Sequence, residues 1–197
     1  MDRTYTRRTL LRGLGTTLGA GALAGCVGAL GPSERTGVER YVVAFHWGFR
    51  LLAPDGTVTD HLTVDPGTRV ALHAVNLEPI AEGAEPPVPE PVARTVTENY
   101  EAWEAGSLDR IAPSVGLSVA DLETKLDGAE SAYGSHAVVL RGPGGSRVGD
   151  AYLPAAATEP ETVTVRPETP GAYDLECQLY CGFGHSFMAY PEALVVE

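Results

Sequence analysis

Four side chains within twelve residues near the C-terminus restrict this chain more than anything else in it. Cys177, Cys181, His185 and Met188 stand in the pattern C-x-x-x-C-x-x-x-H-x-x-M. The whole chain holds three cysteines and two methionines, and one Met is residue 1. Two of the three Cys and the only internal Met therefore fall in this loop, which argues against chance clustering. Thiolate and thioether sulfur favour Cu(I), and imidazole suits copper in either oxidation state. A mononuclear blue-copper site takes one Cys, two His and a weak axial Met; this loop carries one thiolate more. Two thiolates on one short loop can bridge a pair of copper ions. Each ion then needs a terminal imidazole, so a second His must come from elsewhere in the chain.

Other uses of the loop fit less well. Cysteines four apart could form a disulfide in an exported protein, which leaves His185 and Met188 without a role. A zinc site takes Cys or His rather than Met as its fourth ligand. A thioredoxin-like copper chaperone follows C-x-x-x-C with Pro, whereas Gly182 follows here and no βαβ pattern surrounds the motif. The C-x-x-C-H of a c-type haem is absent.

A length of 197 residues predicts one domain with appendages. Acidic residues number 26 and basic ones 14, a net charge of −12. That balance excludes nucleic acid and polybasic membrane binding. Lys125 is the only lysine, and acid excess with so little Lys looks like proteins of extreme halophiles, whose carboxylates keep the surface hydrated in molar salt. Residues 1–26 read as an export signal. Arg7-Arg8 and the residues around them resemble a twin-arginine signal, and Leu23-Ala24-Gly25-Cys26 resembles a lipobox with Cys26 as the lipidated residue. The expectation is an exported protein held by a membrane anchor on the outer face of the cell membrane. The alternative is a spanning helix over 13–31, long enough for a bilayer but rich in glycine. One acyl chain holds only marginally, so stable anchoring needs a second signal or a diacyl lipid. Residues 27–39 read as a tether.

The globular part begins at Arg40. Tyr41, Val43, Phe45, Trp47 and Phe49 alternate with Val42, Ala44, His46, Gly48 and Arg50. This period predicts a single strand with an aromatic face, Trp47 in the core and His46 on the opposite face as a surface or edge residue. Asp55-Gly56 marks a turn. Residues 62–64, Asp65-Pro66-Gly67 and 70–77 read as strand, turn, strand, with His73 on the more polar side and His61 in a loop. Residues 81–130 form an acidic, partly helical insertion between the halves of the domain, 40–80 and 131–197. Within it 82–91 reads as extended and 98–105 as a helix stopped by Gly106. Ser118 caps a second helix with Val119, Leu122 and Leu126 on one face, ending at Gly128. Eleven acidic residues against three basic ones in this insertion exclude DNA binding despite a faint helix-turn-helix look. Strands follow at 137–140, just after His136, then at 162–165, 172–176 and 193–196. Short strands punctuated by Pro/Gly turns predict an all-β, Greek-key β-sandwich with a small helical insertion.

The Cys loop resembles the binuclear copper (CuA) loop of cytochrome c oxidase subunit II and, less closely, that of nitrous oxide reductase. The agreement covers Cys177, Cys181, Gly182, His185 and Met188. The resemblance implies a cupredoxin fold holding two copper ions. Cys177 and Cys181 would be the bridging thiolates, His185 a terminal ligand, Met188 a weak axial one and Leu179 a ligand through its carbonyl. The family places its first imidazole at a loop end before an apolar strand, and that position falls on His136. The family also has aromatics near the copper, here on the strand of Trp47. With no open coordination position, the implied role is electron transfer rather than substrate chemistry. The chain would be the non-catalytic electron-entry subunit of a membrane-bound terminal oxidase. Its partners would be a small redox donor (cytochrome c or a blue-copper protein) and a haem-containing oxidase subunit. A stand-alone tethered electron carrier or copper-delivery protein is the second class that the residues leave open.

Overall fold

The computed structural model describes residues 37–77, 88–127, 134–155, 157 and 159–197. Residues 1–26, with Cys26, and most of the tether lie outside the described residues. Ten strands and two helices follow in the order β1 (Val38–Phe45), β2 (Gly48–Leu52), β3 (Val58–Thr59), β4 (Leu62–Val64), β5 (Val70–Asn76), α1 (Glu90–Ser114), α2 (Val119–Asp127), β6 (His136–Arg141), β7 (Arg147–Leu153), β8 (Glu161–Val165), β9 (Gly171–Cys177) and β10 (Ala189–Val196). They make two five-stranded sheets, β3-β2-β1-β5-β8 and β4-β10-β9-β6-β7. Pairing is antiparallel except for β1 with β5 and β10 with β4. The chain is thus the expected all-β sandwich with a helical insertion. None of the helices among the described residues is long and apolar enough to cross a membrane.

The two sheets bury one core between them. Val42, Ala44, Phe49, Leu51 and Leu72 come from the first sheet, and Leu62, Val138, Leu140, Leu175 and Leu194 from the second. The outer face of the first sheet has a core of its own. Val43, Phe45, Trp47, Leu52 and Val75 pack there against Val92, Val96, Leu108, Ile111 and Leu122 of the two helices. β1 is therefore buried on both faces, and its sequence is a near-continuous apolar run.

The expected single strand over 41–49 is instead a hairpin. β1 ends at Phe45, His46 and Trp47 form the turn, and β2 returns with Phe45 opposite Gly48 and Ala44 opposite Phe49. Cross-strand partners share a face, so Phe49 points into the sandwich with Ala44 while Phe45 and Trp47 face the helices. Arg50 lies 5.0 Å from the Phe45 ring centre and 5.6 Å from that of Trp103, within cation–π range.

Gly106 does not stop the first insertion helix. α1 opens at Glu90, with Pro91 in its first turn, and runs 25 residues to Ser114 just past Pro113. A glycine in a helix interior costs about 1 kcal/mol relative to alanine. Burial of Val92, Val96, Leu108 and Ile111, on both sides of Gly106, outweighs that cost. Proline inside the first turn sacrifices no intrahelical bond, so Glu90 and Pro91 are helical rather than extended. Ser118 caps α2 as expected: its Oγ accepts from the Asp121 amide at 3.1 Å and donates to the Asp121 carboxylate at 2.6 Å. This is a capping box with Asp at its third position, and the bonds from Ser118 hold the Asp121 carboxyl below its ordinary range. Gly128 and the Leu126 side chain lie outside the described residues.

Candidate metal centre

Cys177 is the last residue of β9, and Val138 of β6 lies opposite it. His136 is two residues earlier on β6 and so shares the face of Val138. Its position reaches past the end of β9, toward the loop that follows, and it is completely buried. Asn76, at the end of β5 in the other sheet, donates its side-chain amide to the carbonyl of Gly134 and so holds the entry to β6.

Backbone bonds close the Cys loop. The Cys177 amide donates to the Met188 carbonyl at 3.0 Å, which joins the loop's two ends. The Gln178 amide donates to the Ala137 carbonyl at 3.1 Å, which ties the loop to the residue after His136. Gly182 takes φ 113°, a left-handed conformation that favours glycine. A 3-10 turn over Phe183–Phe187 then presents His185, and the Met188 amide donates back to the His185 carbonyl at 3.1 Å.

The result is one tight group. Ligand atoms of His136, Cys177 and Cys181 all lie within 4.8 Å of one another, and all three residues are buried. Among the described residues, no other three His, Cys, Asp or Glu side chains gather in this way. The two sulfurs stand 3.8 Å apart, against about 2.05 Å in a disulfide, so they are not joined by one. Cys181 Sγ lies 3.8 Å from His185 Nδ1 and 3.2 Å from Met188 Sδ. Cys177 Sγ lies 3.2 Å from the Leu179 carbonyl oxygen. Buried thiols and imidazole at these separations can hold a metal ion. A metal–thiolate bond of about 2.3 Å exceeds half the sulfur–sulfur distance, so one ion can touch both sulfurs.

The Cys177 thiol is pushed down to about 3. Its hydrogen bond with Cys181 is the main cause; His136 and the backbone of Ala137 and Leu179 add to it, and burial acts in the opposite sense. A depressed folded-state value means that the thiolate stabilises the fold most above the free-thiol range near about 8.5. That contribution falls as pH is lowered toward the value of Cys177 itself. In metal-free protein the ultraviolet thiolate absorption should persist to mildly acidic pH, and unfolding stability should decline over the same range. Loss of all thiolate absorption already near about pH 7 would contradict this arrangement.

The other histidines stand apart from the group. His61 is exposed. His73 is half-buried, 2.9 Å from Thr162 Oγ1 through Nδ1, with its ring beside that of Tyr41. His46 is half-buried. It sits in the β1–β2 turn, where its Nε2 accepts the Gly184 amide proton at 3.3 Å, and the Trp47 ring stands edge-on to it. A Cβ on Gly184 would come within 2.0 Å of the His46 carbonyl oxygen, so the turn and the Cys loop fit only if residue 184 is glycine. His46 and Asn76 are thus supports of the site that sequence reasoning did not find. Trp47 is 2% exposed and belongs to the core. Tyr180 is 63% exposed, its ring centre 5.9 Å from that of His185. Comparison of the chain with models of known protein families gives no match, and comparison with curated proteins gives none.

Proposed function

We propose that this protein transfers electrons through a binuclear copper centre of the CuA type, as a subunit II-like component of a membrane-bound terminal oxidase. The observation that carries this reading is the convergence of the Cys177 and Cys181 sulfurs with His136, His185, Met188 and the Leu179 carbonyl. Cys177 and Cys181 would bridge, His136 and His185 would each be terminal to one ion, and Met188 and Leu179 would be weak ligands. Copper bound there supplies a reversible one-electron couple. The chain's own part is to keep that environment constant. Burial of His136, Cys177, Cys181 and Met188 excludes water, and the bonds that tie the loop's ends to each other and to β6 hold the ligands still in either redox state. A donor, cytochrome c or a blue-copper protein, would deliver the electron, and a haem subunit would receive it.

The test is reconstitution with copper. The protein should bind two copper ions per chain, turn purple and show mixed-valence hyperfine structure in paramagnetic resonance. One copper with an intense blue band would overturn the binuclear reading. The second reading, a tethered carrier or copper-delivery protein without an oxidase, is favoured by one observation: α1 and α2 cover the sheet face that holds Trp47, beside the Cys loop. Co-purification with a haem-containing membrane subunit would decide for the oxidase.

A further inference from the structure

The insertion builds a cavity that the metal reading does not use. It measures about 270 Å³ and lies where α1 meets the starts of β2 and β10. Arg50 and Arg110 both line it, with Gly106, Ser107, Trp47 and Tyr190 among their neighbours, and its lining contains no Asp or Glu. In a chain of 26 acidic and 14 basic residues, two guanidinia lining a cavity without any carboxylate in its lining stand out. Neither Arg makes an ion pair among the described residues. Arg50 is held by the Phe45 and Trp103 rings and by one bond from Nη1 to the Phe49 carbonyl at 2.8 Å. Among the described residues its other donors meet no carboxylate. Burial lowers the pKa of Arg50; Tyr190 opposes that shift, and the charge of Arg110 adds a smaller lowering. Arg50 is half-buried and Arg110 exposed, and two cations lining one cavity repel one another unless an anion joins them.

Gly106 is a second, independent observation. It weakens the middle of a long helix, yet a Cβ there would meet no atom within 4 Å. Packing therefore does not require glycine. Gly106 is exposed and is itself part of the cavity's lining.

We propose that Arg50 and Arg110 bind a small oxyanion, a carboxylate or phosphate, in the cavity between α1 and the β2 and β10 strands. Guanidinium forks match the paired oxygens of either group. Ser107 Oγ already donates to the Trp103 carbonyl and the Tyr190 hydroxyl to the Thr59 carbonyl, so the two arginines carry the recognition. The volume lies below the range of about 300–1,000 Å³ typical of drug-sized ligands, which suits phosphate or a short dicarboxylate. The site stands independently of the copper reading.

The experiment titrates the full chain at fixed pH and ionic strength, with inorganic phosphate in one arm and succinate in the other, followed by calorimetry and thermal unfolding. Saturable one-site binding is expected in at least one arm, with a rise in the unfolding midpoint; which arm responds identifies the oxyanion class. R110Q should weaken binding about tenfold or more and should not lower the unliganded midpoint, since it also removes the repulsion of Arg50. G106L places a strong helix former in the cavity and should abolish binding without lowering that midpoint. Absence of saturable binding in both arms overturns the proposal. So does binding in R110Q or G106L as tight as in the parent protein.

Discussion

Serine at position 177 or 181 is expected to abolish the native copper spectrum. Under the binuclear reading each ion needs both sulfurs, so removing either one disrupts both ions. The sulfurs are close enough to share an ion, 3.8 Å apart, and each has its own second contact, Leu179 for Cys177 and Met188 for Cys181. Serine keeps the size of the side chain but cannot supply a thiolate. The fold should survive, because a buried hydroxyl without a partner costs about 1–3 kcal/mol against a total stability of about 5–15 kcal/mol. Copper analysis, absorption and paramagnetic resonance on folded Cys177→Ser and Cys181→Ser protein provide the check. Met188→Leu is the contrasting case. It is a near volume-conserving exchange in a buried position, so it should keep two copper ions and shift the reduction potential. Either serine variant retaining two copper ions and an unaltered hyperfine pattern would show that the thiolates do not bridge.

The loop was readable because its ligand types and spacing are properties of the covalent chain. Cys177, Cys181, His185 and Met188 need no tertiary information to be brought near one another. His136 was reachable only through the order of elements, a His before an apolar strand and then the Cys loop, and the pairing of β6 with β9 places it there. The hairpin at His46 was hidden because apolar alternation continues across it. The aromatic at every second position keeps its period while the chain reverses, so Phe45 and Phe49 end on opposite faces. Gly48 within that alternation was the one local signal of a break. β7 was missed for the opposite reason. It is an edge strand, exposed or half-exposed along most of its length, and carries Arg147, Gly149 and Asp150, so no apolar alternation marks it. The length of α1 is set by tertiary burial on both sides of Gly106, which local propensity cannot express.

Alanine at His136 should destroy or grossly alter the mixed-valence signal, while alanine at His46, His61 or His73 should leave it recognisable. Four histidines could in principle supply the second imidazole, and their surroundings separate them. His136 is fully buried and joins both thiols within 4.8 Å. His61 is exposed, and His73 is engaged with Thr162 and Tyr41 on the first sheet. His46 touches the Cys loop through the Gly184 amide rather than through a sulfur. Losing that bond removes about 1 kcal/mol of support, so His46→Ala should still take up two copper ions but release them faster to a chelator. His136→Ala leaves one ion without its terminal imidazole and opens a cavity beside the sulfurs. It should therefore bind less copper, with a changed hyperfine pattern, even where circular dichroism shows the sheets intact. Each variant is reconstituted with copper and read by absorption, paramagnetic resonance and metal analysis. If His46→Ala or His73→Ala erases the signal and His136→Ala keeps it, the second imidazole has been assigned to the wrong strand.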